Sequence, residues 1–161
     1  STGAITTRMS SGMPDLTGLS ISDVATATNV TLAADTISVI NYTGAAAATM
    51  TLPAATAGTI VVYCQSKDTT GGTTALVFDA AGSDVFATGS VIESRGSSEV
   101  TFDTSAAGET KLTFTPANAT TNLLTTGGQI AFICYENATW HIATKLAAET
   151  TQVTGAFVFA A

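Results

Sequence analysis

Short runs of β-branched and aromatic residues alternate along this chain with clusters of Gly, Pro, Asn, Asp and Ser. Turn signals fall at Gly44, Pro53 to Gly58, Thr69 to Gly72, Ala80 to Gly82, Gly89, Arg95 to Gly96, Ala106 to Gly108, Thr126 to Gly128 and Glu136 to Ala138. The runs between them predict strands near 29–32, 37–42, 49–52, 59–65, 75–79, 85–87, 98–103, 111–115, 129–135, 139–145 and 156–159. Many short strands with turns every ~8–12 residues argue a sandwich or a barrel. No stretch keeps a 3.6-residue period between caps, so helix is expected to be scarce.

Alternation assigns faces. Leu112 and Phe114 point in while Lys111, Thr113 and Thr115 point out; Val100 and Phe102 point in. In the closing hairpin, Trp140 and Ile142 share one face, opposite His141, Ala143 and Lys145. Ile60 to Cys64 and Ile130 to Tyr135 are apolar on both faces, which places them centrally with the second face covered by a loop or a neighbouring subunit. The expected core is Leu52, Val62, Cys64, Phe132, Trp140 and Ile142.

The first 27 residues show little strand periodicity and read as an N-terminal extended arm that orders only on docking. Residues 28–161 form the predicted sandwich domain, antiparallel or jelly-roll-like, in an all-β chain. The chain closes on Phe157-Val158-Phe159, which requires pairing or burial, because an exposed apolar strand invites aggregation.

Composition sharpens this picture. Charged residues make up 11% of the 161, against about 25% in ordinary globular proteins. Threonine supplies roughly a fifth, and it suits exposed strand faces without needing Lys or Glu. Net charge is −7, and Arg8, Lys67, Arg95, Lys111 and Lys145 are scattered singly, so no basic stripe meets phosphates. Nucleic acid is therefore not an expected partner. No run of apolar residues is long enough to span a membrane as a helix, and Ser1 to Ala4 lacks the basic and apolar regions of a secretory signal.

The stretch Met50-Thr51-Leu52-Pro53-Ala54-Ala55-Thr56-Ala57-Gly58 ends one strand at a proline and launches the next from a glycine. Together with the Gly-punctuated strands and the late Trp140-His141-Ile142, it resembles the β-modules of tailed-bacteriophage structural proteins, capsid decoration (cement) proteins among them. The likeness covers roughly residues 28–146. It implies a virion structural protein on the outer capsid surface, assembled in the host cytoplasm, that bridges capsomers. It further implies a homotrimer, with the major capsid protein as partner, no cofactor and no enzymatic activity. On this reading Ile5, Met9, Met13 and Leu16 of the arm contact the capsid, and Phe157, Val158 and Phe159 lie between subunits. The alternative function is a receptor- or glycan-binding module of a tail fibre or surface adhesin, using loops such as 69–74.

Candidate chemistry is thin. Cys64 and Cys134 have no CxxC spacing and no adjacent His; they read as two small buried hydrophobes, with a disulfide as the lesser option. His141 reads as an exposed strand residue with no nucleophile elbow nearby. Asp79 and Asp84 flank one turn, and Asp103 and Glu109 another; neither pair has calcium-loop spacing, and no metal is expected. Asn29, Asn41, Asn118 and Asn137 stand in Asn-x-Thr, an acceptor for glycans only in a eukaryotic secretory setting. Trp140 reads as a core anchor, with sugar stacking as the rarer use of such a ring.

Overall fold

The computed structural model describes residues 20–24, 29–67, 69, 74–95, 100–115, 123–124, 128–143, 148–149 and 157–161. These are strands and turns, with no helix among the described residues. The first six strands are β1 (Ser20–Val24), β2 (Val30–Thr31), β3 (Thr36–Ile40), β4 (Ala48–Thr51), β5 (Ile60–Gln65) and β6 (Leu76–Asp79). They are followed by β7 (Val85–Phe86), β8 (Val91–Arg95), β9 (Val100–Thr104), β10 (Lys111–Phe114), β11 (Leu123–Leu124), β12 (Gln129–Glu136), β13 (Thr139–Ile142), β14 (Ala148–Glu149) and β15 (Phe157–Ala160).

Two main sheets sandwich the core: six strands ordered β1-β3-β5-β12-β13-β7 and five ordered β15-β10-β6-β4-β2. The sandwich is as expected, but its sheets are mixed rather than wholly antiparallel. From β1 to β6 the chain crosses from one sheet to the other at every step. Each strand therefore lands parallel to the strand two before it: β1, β3 and β5 on one side, β2, β4 and β6 on the other. This half is a flattened coil of three turns. Antiparallel pairing takes over where β12 adds to β5 and where β10 adds to β6, although β7 at the far edge again lies parallel to its neighbour β13. Strands β8 and β9 make a separate antiparallel pair, as do β11 and β14.

Alternation decides what is buried. On β4, Ala48 and Met50 point inward; on β6, Leu76 and Phe78; on β10, Leu112 and Phe114; on β15, Phe157 and Phe159. Between the sheets, neighbouring rings run from Tyr63 to Phe78 (5.0 Å, edge-on), Phe78 to Phe132 (5.3 Å), Phe132 to Phe86 (6.1 Å) and Phe86 to Phe159 (5.5 Å). Such offset and edge contacts add to the gain from burying the rings themselves. Leu52, Phe132 and Trp140 belong to this core, and Ile142 packs against it half-buried.

Two expected core residues lie elsewhere. Val62 is buried, but on the outer face of the six-stranded sheet, where it clusters with Ile60 and Ala131 against Ile37 and Ile133. Cys64 is half-buried on that same face, because β5 turns Val61, Tyr63 and Gln65 inward and leaves the intervening residues outward. The second face of β5 and β12 is thus covered within a single chain.

Two further differences concern the ends. Ser20–Val24, inside the stretch expected to form the arm, is instead β1, paired residue for residue with β3. Ile5, Met9, Met13 and Leu16 lie outside the described residues. Phe157 and Phe159 are buried in their own chain's core, and only Val158 of the expected intersubunit trio faces outward. The strand pattern requires this: β15 lies against β10, so its alternate side chains enter the space between the sheets.

Candidate functional site: a clasped turn and two unlike outer faces

The Leu52–Gly58 turn and the Trp140 hairpin, far apart in sequence, are in contact. Ala55 N–H donates to Asp84 Oδ2 at 2.6 Å, and Ala57 N–H to Asn137 Oδ1 at 2.9 Å. Ala138 N–H donates to Ala55 O, and Gly58 N–H to Cys134 O. Four hydrogen bonds therefore fix the turn against the β12–β13 hairpin and the loop before β7. Pro53 starts the turn because it cannot extend the β4 ladder. Gly58, at φ 93°, ends it in a conformation that a side chain would strain.

Most carboxylates that were candidates for chemistry hold backbone. Asp84 accepts from Ala55, Asp103 Oδ2 from Phe159 N–H at 2.6 Å, and Glu109 Oε2 from Ala106 N–H at 2.6 Å. Asp35 accepts the Ile60 N–H at 3.1 Å while its own N–H donates to Ile60 O at 2.7 Å. Asp79 stands opposite Lys111 on the neighbouring strand. No group of three or more His, Cys, Asp or Glu able to hold a metal occurs among the described residues. The sequence offered a signal for these ties, since Asp and Asn at turns bond nearby backbone. It did not name their partners, which are distant in sequence.

At the opposite end of the sandwich lies a buried polar network. Gln65, fully buried, donates to Tyr42 O at 2.8 Å and to Lys67 O, and accepts from the Tyr63 hydroxyl; the Tyr42 hydroxyl donates to Thr74 O. Burial pushes the Tyr42 hydroxyl up to about 12, against the hydrogen bond to Thr74 that lowers it. Burial also raises Tyr63, with Tyr42 and Cys64 adding to the shift. Sequence reading missed this network, because a Gln within an apolar strand carries no spacing motif.

His141 sits beside Ile133 on the outer face, half-buried, its ring edge-on to Tyr135 at 4.9 Å and its Nε2 enclosed without a partner. Trp140, across the strand, is fully buried, and its Nε1 also lacks a partner. Cys64 and Cys134 are both free. Cys64 pairs with Gln129, five positions from Cys134 along β12, too far for a bridge within the chain. Burial raises the Cys134 thiol, which further reduces its reactivity.

The two outer faces differ in chemistry. Outside the six-stranded sheet stand Ile21, Ile37, Val39, Ile60, Val62 and Ala131, with Ile133 and Tyr135 beyond them; Ile21 is 73% and Tyr135 63% exposed. Outside the five-stranded sheet stand Thr31, Thr49, Thr51 and Thr113, together with Val77, Val158 and the Lys111–Asp79 pair. The first face is apolar and partly covered. The second is a hydroxyl-bearing surface of the kind that water solvates well.

Comparison of the chain with protein-family models, with curated proteins and with solved structures yields no match. No helix among the described residues is long and apolar enough to cross a membrane.

Proposed function

We propose that the chain is a structural virion β-module that decorates a bacteriophage capsid, attaching through the parts of the six-stranded sheet's outer face that its own chain leaves exposed, Ile21 at the β1 edge and Tyr135 at the end of β12, and stabilising the assembled shell. The observation that carries this reading is the contrast between the two outer faces. An edge strand that leaves Ile21 mostly exposed beside an apolar sheet face is poorly suited to water and well suited to a partner. The Thr-rich face supplies the solvated side that a particle surface needs. The backbone duties of Asp35, Asp84, Asp103 and Glu109 support a scaffold role over a catalytic one. The resemblance in the turn and the Trp hairpin adds to the same reading. A protein that binds only the assembled shell stabilises it by mass action.

Co-sedimentation with the capsids of candidate phages tests this. Ile21→Glu and Tyr135→Glu, on the apolar face, should weaken binding by at least tenfold, whereas Thr113→Glu on the opposite face should leave it unchanged. Equal binding by all three variants would remove the face from attachment. The second reading, a glycan-binding fibre or adhesin module, draws on the exposed Tyr135 ring braced by His141. A glycan array probed with the intact protein and with Tyr135→Ala separates the two.

A further inference from the structure

Strand β15 occupies the edge of the five-stranded sheet, and among the described residues β10 is its only partner in that sheet. It is short, yet it sends Phe157 and Phe159 into the core, at 4.9 Å from Phe114 and 5.5 Å from Phe86. Its outward Phe159 N–H is taken by Asp103 of β9. Without β15, the groove between β10 and the β8–β9 pair would open onto the core and leave Asp103 unpaired. Residues 143–156 separate it from β13, which lies in the other sheet.

From this arrangement we infer that β15 is exchanged between copies, the strand of one chain filling the β10 groove of another. The occupant is defined by fit: the groove already holds this strand, and a second copy presents the same Phe157, Phe159 and backbone N–H. Closed and exchanged forms make identical contacts, so the balance between them depends on concentration rather than on new surface. A tethered strand experiences an effective concentration on the order of millimolar. Exchange therefore competes where copies are crowded and fades in dilute solution. Exchange would also place Phe157 and Phe159 between subunits while keeping them buried. This association does not depend on attachment to a shell, and it can fail while shell binding succeeds.

Thr113 and Val158 stand directly opposite each other on β10 and β15, both on the outer face. In a Cys64→Ala, Cys134→Ala background, the double variant Thr113→Cys, Val158→Cys should oxidise to an internal disulfide at low concentration. Single variants Thr113→Cys and Val158→Cys are then mixed, refolded together at rising concentration and oxidised. Exchange yields a mixed disulfide dimer in excess of the statistical share relative to either homodimer, increasing with concentration. Failure of the double variant to crosslink would overturn the pairing on which the inference depends. A double variant that crosslinks, alongside a mixture giving only the statistical share, would overturn exchange itself.

Discussion

The side-chain oxygen of Asn137 accepts the backbone N–H of Ala57 at 2.9 Å, across 80 positions of sequence. That bond gives Asn137 a structural reason to stand in an Asn-x-Thr triplet at the hairpin tip. Beside it, Asp84 takes the Ala55 N–H in a less exposed setting. The two differ in charge and in shielding, so their removal should differ in cost.

Asp84→Ala should lower unfolding free energy by about 1.5–3 kcal/mol, since it removes a charge-assisted bond from a half-buried N–H. Asn137→Ala should lower it by about 0.5–1 kcal/mol, because water can replace the lost acceptor. Urea unfolding of both variants checks the order. An Asn137→Ala loss exceeding that of Asp84→Ala would contradict the assignment.

Ala138 has φ 65° and Asp35 φ 53°, the left-handed region that costs an L residue roughly 1–2 kcal/mol. Ala138→Gly should therefore raise stability by about 1 kcal/mol. Asp35→Gly relieves the same strain but loses the bond to Ile60, so it should be near neutral. Asp35→Ala loses the bond and keeps the strain, and should be clearly destabilising. Thermal melting of the three variants reads the sequence of effects.

Tyr42 and Tyr63 set an alkaline limit. Both hydroxyls are raised in the fold, so the folded chain holds protons that the unfolded chain gives up. Their contribution is fully present below the ordinary tyrosine value near 10 and is lost as pH rises from there, the Tyr42 part through about 12 and the Tyr63 part beyond it. Melting temperature should fall steeply above pH 10. The slope should flatten in Tyr42→Phe, Tyr63→Phe protein, even though that protein starts from lower stability.

The cysteines should label in order. Cys64, half-buried on the outer face, should react with iodoacetamide in the native protein before Cys134, which is buried and has a raised thiol. In denaturant without reductant both should label completely. Incomplete labelling in denaturant would indicate a disulfide that the β5–β12 register excludes within one chain.

What the sequence determined by itself was the class of the fold and the inward face of most strands. Strict alternation in Lys111–Phe114 admits one buried set, Leu112 and Phe114, whichever strands lie alongside. The Pro53 and Gly58 signals likewise fixed where β4 stops and β5 begins. Partner and direction were decided only in the tertiary structure. A turn that crosses to the opposite sheet and one that folds back as a hairpin carry the same Gly, Pro and Asp residues, so the parallel coil of β1 to β6 left no local trace. β1 was hidden because an edge strand such as Ser-Ile-Ser-Asp-Val needs little apolar content to pair with β3. Cys64 and Cys134 both stand in apolar strands, yet only the register of β5 and β12 turns one outward and the other into the core. Sequence alternation states that a strand has two faces; which face meets the core depends on what the rest of the chain packs against it.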